Sequence, residues 1–524
     1  MRLIVAGLAF VASVCAWGVP PEGFDARVAG LMQQQDIPGA AIAIVEDGET
    51  TLARGYGVKS LEHLQPVGPD SLFQIGSTSK AFTAAALAIL VDEGRILWED
   101  PVIDHLPEFR MYDPWVTREM TIRDLLVHRS GLGRGQGDLL YVPATTISRA
   151  DTVRRLRFLK PATSFRSSFA YDNILYIVAG ELIEAVTGVT WEVFVRDRLL
   201  RPAGMMTSVT NDADRLNAAD RASPHGRMGE ILGVGKQQAL NEKAVALGAN
   251  SAPAGAIAAG ANDLARWLAV QLAGGEVPGS GRRLFTQASG QEMWQPVVPI
   301  PITPLPGPLA DATPRFRAYA LGWIVQDYRG HRIVQHGGGT QGFRAIVVLI
   351  PEKKIGFAIA NNSDDNAFVP GLTYELLDHY LGLPKHDWPR AYGEFFAARS
   401  AAAIEAIRAA AAAKPQSAPS LPLAGYAGNY ADPWYGPIAI REKGGTLSID
   451  FLQTPGMTGP LEHWAFDTFI VRWPDRLIEP AYVTFALNAG GRPERISMKA
   501  VSPVADFSFD YHDLAFSPSD SADP

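Results

Sequence analysis

Thiols are almost missing from this chain: its 524 residues include one cysteine, Cys15. That cysteine lies in MRLIVAGLAFVASVCAWG, where Arg2 gives a short positive start and Leu3 to Val14 are nearly all apolar. Ala16 then supplies a small residue before a cleavage point. The pattern is that of an export leader over residues 1–16, so the mature protein is expected in the periplasm or outside the cell. The apolar run is shorter than the roughly 20 residues a spanning helix needs; an uncleaved helix or anchor is the competing reading. Val14 is too bulky for the residue that precedes a lipid-modified cysteine. With residues 1–16 removed no thiol remains, which excludes disulfides, a thiol nucleophile and cysteine–metal sites.

Charge is scarce as well. Charged residues make up 19% of the chain, Asp and Glu outnumber Lys and Arg 55 to 47, and the net charge is −8. Such a chain repels phosphate backbones and gains nothing from anionic lipid, so neither nucleic acid nor a membrane surface is expected as a partner. No HExxH and no His/Asp cluster suggests a metal, and no cofactor is expected. What the chain does have is apolar material, 47% of its residues, enough for a large core divided over two or three domains.

Residues 38–58, PGAAIAIVEDGETTLARGYGV, hold two β-rich runs around Asp47-Gly48, a hairpin signal. Four more strand-like runs come late, in YALGWIVQDYRGHRIVQHGGG and FRAIVVLIPEKKIGFAIANN. Between them the spacing predicts helices over Ser79–Glu93, over Ile174–Thr187 with Gly188 as its stop, and from Asn262 onward. Strands from both ends of a helical middle make an α+β domain, an antiparallel sheet with flanking helices. From Tyr392 to Ala413 the chain is alanine-rich and helix-favouring, until KPQSAPSLP breaks it. Charged Arg399, Glu405 and Arg408 rule this out as a membrane segment. Seven or so short strands follow from Leu423 to Phe516: GYAGNY, GPIAIREKGG, TLSIDFL, DTFIVRW, AYVTFALN, ERISMKAV and FSFDYHDLAF. They suggest a small sandwich or barrel. The expected division is a leader 1–16, a main domain 17–390, an Ala-rich helix and linker 391–420, an all-β domain 421–516 and a flexible tail 517–524.

Three short patterns carry chemistry. Ser77-x-x-Lys80 is the only such pair in the chain, at the mouth of the apolar run AFTAAALAIL. A serine needs a base, and lysine serves only when burial lowers its pKa. The alternative is a helix cap beside a solvated lysine, although a cation at a helix N-terminus is unfavourable. Tyr171-Asp172-Asn173 offers a proton relay and an amide binder; the bland reading is a packed aromatic followed by a capping asparagine. His336-Gly337-Gly338-Gly339 ends a strand where glycines permit close backbone approach, and an incidental histidine at a bulge explains it as well. The spaced glycines of Leu132–Gly137 match no phosphate-binding loop and read as a mobile loop. His128, in LLVHRSGL, reads as a structural hydrogen-bonder rather than a base.

Taken together and in this order, STSK, YDN and HGG resemble the motif set of the penicillin-recognising serine hydrolases. That family includes class C β-lactamases, D-alanyl-D-alanine carboxypeptidases, D-aminopeptidases and related esterases. The resemblance extends over roughly residues 24–385, through IPGAAIAIVEDGETTLARGYG, LFQIGSTSKAFTAAALAILVDEGRILWEDPVIDHLPEF, TIRDLLVHRSGL, NDLARWL and HGGGTQGFRAIVVLIPEKKIGFAIANN. The segment opened by GYAGNY is similar to a lipocalin-like domain appended to some members. The resemblance implies a β-lactamase/transpeptidase-like fold followed by a small barrel. It also implies that Ser77 is acylated, that Lys80 helps deprotonate it and that Tyr171 relays protons. Asn173, His336 and Gly338 would contact substrate, and the amides of Ser77 and Gly339 would form the oxyanion hole. Where many members carry lysine this chain has His336, a weaker anchor for a carboxylate, which argues against an efficient β-lactamase. The expected partner is a small molecule or short peptide. The all-β domain is expected either to mediate homo-oligomer assembly or to cover the site, and an idle scaffold with the same fold is the competing function.

Overall fold

A computed structural model describes residues 20–141 and 143–519. The leader reading for residues 1–16, Cys15 included, and positions 520–524 of the tail lie outside the described residues.

The Asp-Gly pair makes the first turn. Asp47 and Gly48 both take positive φ, 48° and 86°, the geometry that matches the twist of two hairpin strands. They join β1 (Gly39–Glu46) to β2 (Glu49–Gly57), after a first helix α1 (Phe24–Gln34). The middle of the chain supplies α2 (Lys80–Asp92), α3 (Ile174–Thr187) and α4 (Ala261–Leu272). The late run supplies β3 (Val298–Pro299), β4 (Arg317–Tyr319), β5 (Ile324–Tyr328), β6 (His331–Thr340), β7 (Phe343–Ile350) and β8 (Ile355–Asn361). They form one eight-stranded sheet in the order β2-β1-β8-β7-β6-β5-β4-β3, with every pairing antiparallel.

β1 is buried at every position because both faces of the sheet are covered. The period of two then sorts its side chains. Ala41, Ala43 and Val45 join the core that holds Phe82 of α2, Ile177 of α3 and Trp267 of α4. Ile42 and Ile44 face the opposite cluster, with Phe24 and Leu31 of α1. That cluster also holds Leu372 and Leu376 of α5 (Phe368–Leu381) and Trp388 at the head of α6 (Trp388–Ala412). The small residues on one face let α4 sit close, and its Trp267 stacks on Phe82 of α2 at 3.9 Å. Helix α6 starts four residues ahead of the alanine-rich run, where Asp387 caps the amide of Arg390 and Pro389 occupies the first turn.

The C-terminal domain is a closed barrel of eight antiparallel strands, β9 (Gly428–Asp432), β10 (Gly436–Lys443), β11 (Thr446–Phe451), β12 (Thr458–Ala465), β13 (Thr468–Val471), β14 (Ala481–Leu487), β15 (Pro493–Ala500) and β16 (Ala515–Pro518). Closure comes from Tyr430 of β9 pairing with Pro518 of β16. An aromatic cluster around Phe485 fills part of the interior, with Tyr426, Tyr430 and Phe469 at 5.0–6.2 Å between ring centroids. Two strand readings change. β12 was hidden by Gly459 and Pro460, and FSFDYHDLAF is mostly loop, with strand only from Ala515. The loop part matters more than a strand would, because it reaches the cleft described next.

Candidate active site

Ser77 lies on a single 3₁₀ turn, Gly76–Ser79, that runs directly into α2. No side-chain cap closes either helix start. Lys80 is the first residue of α2 and is fully buried. Its ammonium has three donors and finds three acceptors: Ser77 Oγ at 3.0 Å, Asn173 Oδ1 at 2.7 Å and the carbonyl of Ala254 at 2.9 Å. Rings of Tyr171 and Tyr176 lie 5.0 and 5.1 Å from the same nitrogen. Burial pulls the Lys80 pKa down to about 7, against the opposing pull of the Asp138 and Asp172 carboxylates. A lysine lowered to about 7 that touches a serine hydroxyl has the chemistry to accept its proton.

Tyr171 and Asn173 stand at the entry to α3. Asn173 occupies the cap position yet makes no capping bond; Asp172 Oδ1 accepts from the amide of Leu175 instead. Asn173 spends its oxygen on Lys80 and donates from Nδ2 to Asp138 Oδ2 at 2.7 Å. Tyr171 lines the same cleft as Ser77, and burial holds its pKa above the ordinary phenol range against the pull of the Ser77 hydroxyl. His128 is sealed beneath, its Nδ1 accepting from the amide of Asp172 at 3.2 Å. Its ring packs 4.2 Å from Tyr171 and 4.3 Å from Tyr319, and burial lowers its pKa.

The glycines of β6 are there for contact. A Cβ on Gly338 would lie 1.9 Å from the carbonyl oxygen of Ile75 and 3.1 Å from the amide nitrogen of Ser77. Gly76 takes φ 51°, and a Cβ there would come within 2.6 Å of the Gly339 amide nitrogen. The Ser77 turn and β6 therefore touch backbone to backbone, and the amides of Ser77 and Gly339 belong to the same small space. His336 is 3% exposed. Its Nδ1 donates to the carbonyl of Gly337 at 2.7 Å, so its Nε2 is the acceptor for the Tyr319 hydroxyl at 2.8 Å. Burial, aided by the Lys80 charge, takes its pKa down to about 3. The imidazole is neutral with both nitrogens engaged, so position 336 presents no cation to a substrate.

All seven residues singled out in the sequence, Ser77, Lys80, Tyr171, Asn173, His336, Gly338 and Gly339, line or adjoin one cleft of about 900 Å³. Sequence reasoning missed two contributors. Asp138 is 1% exposed and sits behind Asn173. The barrel adds a wall through Glu479, Asp506, Phe507 and Ser508: Phe507 lies 6.0 Å from the Tyr171 ring, and Ser508 Oγ donates to Asp138 Oδ2 at 2.7 Å. The Leu132–Gly137 segment, read as mobile, is held instead. The amide of Gly137 donates to Asp513 at 2.7 Å, Trp434 Nε1 donates to the carbonyl of Gly137 at 3.1 Å, and Arg134 lies over Phe507 at 4.4 Å. Among the described residues no group of three or more His, Cys, Asp or Glu side chains is placed to hold a metal ion.

An eight-stranded antiparallel sheet with helices on both faces, a serine–lysine pair at a helix start and a glycine-rich strand beside it define the β-lactamase/transpeptidase-like class of domain. The chain belongs to the Beta-lactamase family, whose profile matches residues 24–381; residues 412–518 match a domain of unknown function, DUF3471. Two proteins named unguisins hydrolases are similar along most of the chain. The one from Aspergillus campestris is 32% identical over 80% of this chain and 77% of that protein. The one from Aspergillus violaceofuscus is 31% identical over 91% of this chain and 88% of that protein. The octameric penicillin-binding protein homologue from Pyrococcus abyssi shares the fold, with a TM-score of 0.58 and 21% identity over 91% of this chain and 98% of that one.

Proposed function

We propose that this protein is an exported serine hydrolase that forms an acyl-enzyme at Ser77 with small esters, amides or D-amino-acid peptides. Neutral Lys80 takes the Ser77 proton as Oγ attacks the carbonyl carbon, and the oxyanion is met by the amides of Ser77 and Gly339. Tyr171 hands a proton to the leaving group and later serves the water that releases the acyl group. Asn173 and the β6 backbone at Gly338 hold the substrate amide, and His336 shapes the wall beside Tyr171.

The observation that carries this reading is the Lys80 ammonium, fully buried at a helix N-terminus and bonded to Ser77 Oγ at 3.0 Å. An idle scaffold gains nothing from burying a cation there, where the helix dipole opposes it. The names of the relatives from both Aspergillus species support hydrolysis. An efficient β-lactamase is the weaker reading within the enzymes, because neutral His336 with both nitrogens engaged offers no ammonium for a carboxylate. A fluorophosphonate or fluorescent penicillin probe tests the assignment: the protein is labelled and Ser77→Ala is not. Equal labelling of the two, or no labelling of either, sinks it. Turnover of nitrophenyl esters, D-alanyl peptides and nitrocefin side by side then sorts the substrates.

A further inference from the structure

We propose that Asp138 is a positioning residue for the Ser77–Lys80 pair and that Ser508 of the barrel completes the site by holding it. The inference rests on the acyl-enzyme reading and extends it to a residue outside the three motifs and to the second domain. Its basis is a single line of hydrogen bonds from barrel to base: Ser508 Oγ to Asp138 Oδ2, Asn173 Nδ2 to that same oxygen, and Lys80 Nζ to Asn173 Oδ1, each at 2.7 Å.

The chemistry of each link gives it direction. A side-chain amide can present either end to a neighbour. Asp138, when ionised, only accepts, so it draws the NH₂ end of Asn173 to itself and leaves the oxygen for Lys80. Without that acceptor the amide is free to turn, and a turned NH₂ would oppose the Lys80 ammonium and remove one of its three acceptors. The carboxylate is also nearly sealed. Among the described residues its Oδ1 is buried without a hydrogen-bond partner, so Ser508 and Asn173 hold one oxygen and leave the other uncontested. The turn that carries Asp138 is fixed from the barrel side as well, through Asp513 and Trp434 on Gly137. Barrel and base are thus parts of one construction.

Charge gives the arrangement a measurable signature. Asp138 is pushed up to about 7 by burial, against the Ser508 and Asn173 hydrogen bonds, and its charge raises the Lys80 pKa. Around the pair stand Asp172, the phenols of Tyr141, Tyr171 and Tyr435, and His512 with Asp513; His128 and His336 also feel Lys80. The phenols are raised and these two histidines lowered by burial, so between pH 5 and 9 the titrating neighbours to control for are His512, raised by Asp510, and Glu479 of the cleft wall, raised by burial to about 7.

The test uses the full-length chain, a fluorophosphonate probe and a p-nitrophenyl ester across pH 5–9. Labelling of the wild type at Ser77 checks the underlying reading, independently of the variants. Given labelling, Asp138→Asn is expected to lower kcat about 10- to 100-fold and move the acid limb of kcat/KM to lower pH. The limb falls because the carboxylate that favoured the ammonium is gone. Ser508→Ala, at a partly exposed site that folding tolerates, is expected to lower kcat about 3- to 10-fold and move the limb the same way, with the thermal midpoint unchanged. His512→Asn leaves the limb in place. A Ser508→Ala enzyme with wild-type kcat and limb overturns the proposal, as does a His512→Asn enzyme that reproduces the shift. If Asp138→Asn does not fold, the Ser508 result decides alone.

Discussion

Gly338→Ala separates the backbone contact of β6 from its mere presence. The new Cβ would lie 1.9 Å from the Ile75 carbonyl oxygen, whereas close carbon–oxygen contacts fall at about 3.3 Å. Strand and turn must part by about 1.4 Å, and neither side is a flexible side chain. Because the same turn carries Ser77, the Gly339 amide leaves the oxyanion position proposed for it. Loss of one such donor costs about 10²- to 10³-fold in kcat, and the forced fit adds roughly 1–3 kcal/mol of instability. Gly337→Ala is the matched control, since its Cβ would find nothing nearer than 3.9 Å; its kcat is expected within about threefold of wild type. The assay is single-turnover labelling by a fluorophosphonate, steady-state ester hydrolysis and a thermal melt for each variant. Wild-type kcat in Gly338→Ala, or an equal loss in Gly337→Ala, refutes the argument from contact.

Two further expectations concern pH. With Lys80 near 7 and required neutral, kcat/KM for an ester falls about tenfold per pH unit on the acid side; a profile flat from pH 5 to 8 removes Lys80 as the base. Glu479 is the second case: burial, with Asp506 beside it, raises it from 4.5 to about 7. The folded chain then keeps a proton that the unfolded chain has lost, so stability declines as pH rises from about 4.5 through 7. That gap, at about 1.4 kcal/mol per pH unit, amounts to about 3 kcal/mol above pH 7. Urea unfolding of Glu479→Gln should match wild type at pH 4.5 and exceed it at pH 8; no gain at pH 8 means that the carboxylate is solvated.

The site divides by range of contact into what could be read and what could not. Ser77 and Lys80 sit within one turn, Tyr171 and Asn173 within three residues, and the glycines of β6 are consecutive, so short patterns expose them. Asp138 and Ser508 are 370 positions apart, and nothing near either one announces a partner. Asp138 follows a run of spaced glycines that looks like any loop until Asp513 and Trp434 are seen to grip it. The Asp47-Gly48 hairpin was legible because its turn chemistry is local. β12 was not, because Gly459 and Pro460 break the alternation that marks a strand, although its partners β11 and β13 pair with it all the same. Tyr319 and His336 show the same division, since the histidine is visible as a motif residue and the hydroxyl that donates to its Nε2 is not.

The pairing of Ala40 with Asn361 sets a clock for synthesis. β1 is made early and cannot find β8 until about 320 more residues have been added, which at 5–20 residues per second takes on the order of half a minute. Closing a loop of that length costs several kcal/mol before any contact repays it. Until then GAAIAIVE, apolar on both faces, has the β2 hairpin at its edge, α1 on one face and, once residue 272 is made, α4 on the other. Its free edge toward β8 stays open throughout, so crowding the chain at high expression is expected to show up first as aggregation seeded at β1.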